Sequence, residues 1–258
     1  MVGIPSAAPV RLRRLAAVVT TALLLGGAGA FALLHVGAAG RGDAAAAAFG
    51  LDGSAQGAVV LITVDGKPRC NGVLIAPDAV LTARHCVERR RKLQVGIGAD
   101  PKQREHRRVA RVELHPTLDA ALLLLRDEAP DFSQPAELAS SLDDLATPAA
   151  RLLAGTAGGE VLGPHFLEAR VQSLGDEVIV NYPTGGLCKG ESGAPLFARE
   201  ASGAVSLVGI LRGGAGVCTG PDSFIRADRL APWLGARRDA LQTESKQRKS
   251  TESDHEEG

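Results

Sequence analysis

Three side chains far apart in the chain have the types needed for nucleophilic catalysis. They are His85 in Leu-Thr-Ala-Arg-His-Cys-Val, Asp119 in His-Pro-Thr-Leu-Asp-Ala-Ala-Leu-Leu-Leu-Leu, and Ser192 in Cys-Lys-Gly-Glu-Ser-Gly-Ala-Pro-Leu. A serine hydroxyl is a poor nucleophile until a base takes its proton, and an imidazole serves as that base only when a third group holds it in the right tautomer. Asp119 opens a run apolar enough to be a buried strand, where a lone carboxylate is costly and an imidazole N–H would satisfy it. The chemistry these roles support is acyl transfer. Taken singly, each residue has an ordinary structural reading: the serine as a turn, the histidine as a satisfied core or surface group, the aspartate as a cap. Their conjunction beside cysteines carries the argument.

Cys86 directly follows His85, and Cys188 stands four residues before Ser192. Upstream, Arg11, Arg13 and Arg14 precede a stretch from Leu15 to Gly40 without Asp, Glu, Lys or Arg, long enough to cross a bilayer. It reads as an export signal, with Val36-Gly37-Ala38 as a small-residue cleavage pattern; the alternative is an anchor retained in the membrane through residues 15–39. Either way the remainder is delivered outside the cytoplasm: secreted, periplasmic or anchored facing outward. In an oxidising compartment four cysteines imply two disulfides, although three pairings are open. Pairing neighbours would give Cys70–Cys86 and Cys188–Cys218, each worth about 3 to 4 kcal/mol on the chain-entropy account and each pinning a reactive side chain. There is no C-x-x-C pair and no metal-ligand spacing, so no metal and no cofactor is expected.

The elements that must position these residues lie in one folded unit. Of 258 residues, 45% are apolar, enough to fill a core. Lys plus Arg and Asp plus Glu number 29 each, so no whole-molecule field attracts nucleic acid; eight aromatic residues leave too few rings for a base-stacking platform. Residues 1–48 are leader and spacer, 49–235 the folded domain, and 236–258 a charged tail with too few apolar side chains to fold. Within the domain, short apolar runs end at turn residues: Val59–Val64, Gly72–Ile75, Val109–Leu114, Ala121–Leu125, Arg151–Leu153, Phe166–Val171, Val178–Val180, Ala204–Leu211 and Ser223–Ile225. This is an all-β pattern. The Pro- and acid-rich stretch Asp127–Ala150 connects two halves, and Leu230–Arg238 predicts a final helix. A basic segment, 84–111, and an acidic one, 113–144, cancel and read as solvated surfaces.

Chain order separates scaffolds. After Ser192 the only histidine is His255 in the tail, which excludes the Ser-acid-His order of α/β-hydrolases. The order His85, Asp119, Ser192, with Thr-Ala-x-His-Cys, Asp-x-Ala-Leu-Leu and Gly-x-Ser-Gly-x-Pro, resembles the trypsin/chymotrypsin family of serine endopeptidases over about residues 51–235. The resemblance implies two packed six-stranded antiparallel β-barrels with a short C-terminal helix, the disulfides Cys70–Cys86 and Cys188–Cys218, a monomer and a polypeptide substrate. It makes His85 the general base, Asp119 its orienting group, Ser192 the nucleophile, and the N–H groups of Gly190 and Ser192 the oxyanion hole.

The chain departs from that family at several positions. Arg84 replaces a small residue before the histidine, Glu191 an Asp that receives a newly cut N-terminus, Ala194 a Gly, and Arg212 a Ser that supports the catalytic Asp. Arg84, Ala194 and Arg212 keep a second reading in play, a protease-like binding protein with little turnover. No Ile-Val-Gly-Gly start is present, and Leu51 is the nearest candidate for a new terminus, pairing with Glu191 if cleavage occurs. The resemblance puts Gly186, Lys189, Arg212, Gly214 and Ser223 around the substrate pocket. Gly186 stands where members that cut after Lys or Arg hold an Asp. An apolar side chain before the cut bond is therefore the first expectation, with an acidic one favoured by Lys189 and Arg212 as the alternative.

Overall fold

A computed structural model describes residues 57–89, 92–139, 142, 152–158, 164–199, 204–214 and 217–237. The leader, the spacer, Leu51 and the tail beyond residue 237 lie outside the described residues. All the described residues belong to one compact unit, Ala38–Gly258. None of their helices is long and apolar enough to cross a membrane.

Six strands, β1 (Val59–Val64), β2 (Lys67–Ala76), β3 (Ala79–Thr82), β4 (Leu93–Ile97), β5 (Glu105–Leu114) and β6 (Ala121–Leu125), close an antiparallel barrel in the order β1-β2-β3-β6-β5-β4. Six more, β7 (Leu152–Thr156), β8 (His165–Leu174), β9 (Glu177–Asn181), β10 (Pro195–Arg199), β11 (Val205–Gly214) and β12 (Asp222–Arg226), close a second in the order β10-β11-β12-β9-β8-β7. Closure leaves no strand edge to aggregate. A one-turn helix, α1 (Arg84–Val87), leaves β3, and a C-terminal helix, α2 (residues 227–237), follows β12.

The apolar runs that look continuous in sequence have both faces covered. On β1, Val60 and Ile62 point into the first barrel with Leu74, Val80, Val95, Ile97 and Leu123, while Val59 and Leu61 point the other way. There they meet Val73, Leu81 and Leu122 from the same barrel and Leu153, Phe197, Leu207, Ile210 and Ile225 from the second. A strand alternates its faces with period two, so Ala121–Leu125 serves one barrel's interior and the inter-barrel seam at once. Asp65 and Gly66 both have positive φ, 51° and 76°, as the two-residue hairpin between β1 and β2 requires.

Three strands, β3, β4 and β10, are not among the runs picked out by apolar pattern. Leu93, Val95 and Ile97 of β4 alternate correctly but follow a basic segment, and β10 begins on Pro195, where a strand needs no N–H. The final helix starts before Leu230 and takes in residues 236 and 237, which composition assigns to the tail.

Candidate active site

His85 sits in α1, and Asp119 ends the loop between β5 and β6. The two are joined twice: Asp119 Oδ2 lies 2.7 Å from His85 Nδ1, and Asp119 Oδ1 accepts the His85 backbone N–H at 2.9 Å. A further bond, from the Arg84 N–H to the Asp119 carbonyl at 3.1 Å, ties the helix start to the loop. Burial alone would raise the Asp119 carboxyl, but the side-chain and backbone bonds from His85 outweigh it and hold the group below its ordinary range. The carboxylate is half-buried rather than enclosed, with 25% of its side chain exposed.

The loop bearing Asp119 is built by His115 and Trp233, residues to which no motif assigns a role. His115 Nδ1 accepts the N–H groups of Thr117 at 3.2 Å and Leu118 at 2.9 Å, and its ring packs edge-on against Trp233 of α2, centroids 5.1 Å apart. Burial lowers the His115 pKa, consistent with a neutral ring whose Nδ1 is an acceptor. Arg84 turns away from the imidazole: its guanidinium donates to the His115 carbonyl at 3.0 Å and pairs with Glu88 at 3.2 Å.

Ser192 lies on the loop between the Cys188 bridge and β10. Its carbonyl accepts the Asn71 N–H of β2 at 2.8 Å and lies 3.8 Å from Cys86 Sγ, beside His85. Gly190 has φ +89°, the left-handed turn that aims successive N–H groups to one side. Gly193 has φ +82°, and a methyl built on it would overlap the Asn71 carbonyl oxygen, so the Ser192 loop presses directly on β2. Glu191 is fully buried; its Oε2 accepts the Cys188 N–H at 2.7 Å, and its Oε1 faces His165 Nδ1 at 3.8 Å. Burial raises its pKa, against the opposing pull of the Cys188 N–H and His165.

Both disulfides join sequence neighbours, Cys70 to Cys86 and Cys188 to Cys218. Among the described residues, one group has metal-compatible spacing, Cys70, His85 and Cys86, and its two sulfurs are bonded to each other rather than available as thiolates. Around the expected pocket, Gly186 is buried against Thr219 and Gly220, while Lys189 and Gly214 are exposed. Arg212 pairs with Glu177 at 3.0 Å, and the Ser223 hydroxyl donates to the same carboxylate. Asp222, the residue before Ser223, is the one turned inward, 1% exposed and hydrogen-bonded to the Leu187 N–H at 2.9 Å. Burial raises its pKa. No motif marks Asp222, and an acid directly after a Gly-Pro turn is ordinarily read as surface.

Residues 51–234 match the family model described as Trypsin. A protein described as trypsin from Saccharopolyspora erythraea is 31% identical over 199 residues, covering 63% of this chain and 82% of that protein. Among solved structures, neuropsin, a serine protease expressed in the limbic system of mouse brain, has the same fold. It aligns with a TM-score of 0.57 at 21% identity, covering 71% of this chain and 95% of that one. With two six-stranded barrels, paired disulfides and this sequence match, the chain belongs to the trypsin family of serine endopeptidases.

Proposed function

We propose that the protein is an exported endopeptidase that cleaves polypeptides through an acyl-enzyme. Ser192 Oγ attacks the carbonyl carbon while His85 takes its proton; His85 then donates that proton to the leaving amine, and water repeats the sequence in reverse. Asp119 holds the imidazole with Nδ1 protonated, and the N–H groups of Gly190 and Ser192 stabilise the oxyanion. The observation that carries this reading is the pair of bonds from Asp119 to His85, 2.7 Å to the ring and 2.9 Å to the backbone, which fixes both the tautomer and the ring's direction. Of the three departures that favour a binding protein, Ala194 is a buried core residue, and Arg84 and Arg212 each pair with an acid, Glu88 and Glu177; the two His85–Asp119 bonds are intact beside them.

The test is labelling of the full chain by a fluorophosphonate, which reacts with an activated serine. Labelling that disappears in Ser192→Ala supports the enzyme; folded, disulfide-intact protein that takes no label refutes it. N-terminal sequencing of protein recovered outside the cytoplasm tests export and a new terminus at Leu51.

A further inference from the structure

Arg212 stands where β11 departs from regular pairing. Leu211 pairs with Phe224 of β12 and Gly213 with Ser223, so Arg212 is the extra residue of a β-bulge, a device that re-aims a side chain beside a site. Leu211 fills the core of the second barrel; its carbonyl accepts the Gly193 N–H at 2.8 Å, and its N–H donates to the Ala194 carbonyl at 2.8 Å. Arg212 is thus carried on backbone tied to the two residues that follow Ser192, and its side chain turns out of the barrel, 55% exposed.

Two acids feel this guanidinium. Glu177 of β9 accepts it on Oε1 at 3.0 Å, and the Ser223 hydroxyl donates to Oε2, so the carboxylate that holds Arg212 is itself held from β12. A pair this exposed adds little to stability, which leaves its effect on charge to consider. Asp119 is the second acid: burial raises its carboxyl, the bonds and charge of His85 together lower it further than burial raises it, and the charge of Arg212 adds to that lowering. Other charged or titratable groups on the surrounding elements are engaged elsewhere. Arg84 and Glu88 of α1 pair with each other, the His115 ring binds N–H groups of the Asp119 loop, and Glu191 is buried towards His165. Among the described residues, Arg212 is the cation other than His85 whose charge reaches Asp119.

We infer that Arg212, anchored by Glu177, is a positioning residue that acts on Ser192 through Asp119 and His85: its charge offsets part of the Asp119 field, opposes the gain of a proton by the imidazole, and extends attack by the serine to lower pH. Glu177 works in the opposite sense by drawing off part of the guanidinium's field. This assignment rests on the peptidase reading above and makes the arginine an adjustment of the base rather than a defect.

The test is the rate at which an uncharged alkyl fluorophosphonate labels the full chain, measured against pH. Ser192 Oγ forms a bond to phosphorus, fluoride leaves, and the serine proton passes to His85, so the rate falls in acid as the imidazole becomes protonated beforehand. An uncharged probe is not drawn in by Arg212, which separates an effect on the base from an effect on binding. Arg212→Gln is expected to move the acid midpoint up by about half a pH unit, Glu177→Gln to move it down, and Arg212→Lys to keep the wild-type midpoint. Both shifts should shrink at about 1 M salt, where the screening length is about 3 Å. Glu177→Gln reads the same charge with Arg212 still in place, so it decides the matter even where Arg212→Gln does not fold. Labelling whose midpoint is unmoved by Glu177→Gln, moves the same way in both variants, or shifts equally at high salt overturns the assignment and leaves the peptidase standing. Folded wild type that takes no label at any pH removes both.

Discussion

The Asn71 side chain on β2 reaches across the seam between the barrels and donates to the Gly158 carbonyl at 2.9 Å. Its oxygen accepts the Ala157 N–H at 2.7 Å and the Thr156 hydroxyl at 3.1 Å, and its amide also approaches the Gly190 carbonyl at 3.4 Å. One fully buried amide thus ties the first barrel to the end of β7 and to the loop that carries Gly190 and Ser192. Asn71→Ala leaves these groups buried without partners and is expected to lower unfolding free energy by about 2 to 4 kcal/mol, read from urea denaturation. Asn71→Asp should not rescue it, because a carboxylate would face the carbonyls of Gly158 and Gly190.

Replacing Asp119 by Asn preserves shape but not the acceptor that fixes the His85 tautomer. On the behaviour of Ser-His-Asp triads, kcat should fall about 10,000-fold with a small change in KM. A sign follows for stability as well. Because the folded-state pKa of Asp119 is depressed, its contribution is present above the ordinary aspartate range and is lost as pH falls through the folded value. The thermal midpoint difference between wild type and Asp119→Asn should therefore be constant near neutrality and shrink in acid; a difference that grows in acid would contradict the pairing.

Gly193→Ala is expected to destabilise by about 3 kcal/mol or more, since the new methyl must displace backbone at Asn71 and hold a left-handed φ. Calorimetry checks it, and a midpoint within a degree of wild type would show that the loop does not pack against β2.

Glu191 and Asp222 have the opposite sign from Asp119. Both are raised by burial, so their ionisation costs stability; that cost is full above the raised values and is relieved as pH falls through them. The groups facing Glu191 are His165, Asp222, Thr156 and the Cys188 N–H, and Tyr182 lies within electrostatic reach of both carboxylates. Glu191→Gln retains an acceptor for the Cys188 N–H and should flatten the decline in thermal midpoint as pH rises from the ordinary glutamate range through the raised value. His165→Gln removes the basic neighbour that opposes the raising of Glu191 and should extend the decline to higher pH. Equal pH profiles for all three proteins would rule out an ionised Glu191.

Much of the candidate site was legible because it depends on residue type and near neighbours. Gly190 needs no side chain whatever packs around it, Cys86 travels with His85, and Val59–Val64 reads as a strand from β-branched content alone. The short strand β3 and the Pro-initiated β10 were not legible, because barrel closure rather than local pattern supplies their hydrogen bonds.

By itself the sequence determined the chemical inventory: an imidazole, a carboxylate and a hydroxyl in a telling order, two pairs of cysteines, and runs apolar enough to bury. Tertiary structure alone decided which polar groups face that inventory. Ser223 pairs with Ile179 and turns to Glu177, while Asp222 pairs with Gly214 and turns inward. Adjacent residues on a strand point to opposite faces, and a one-residue change of register would exchange them. The register is set by contacts with β9 and β11, far away along the chain, and for the same reason Asn71, His115 and His165 carry no mark of their roles in sequence.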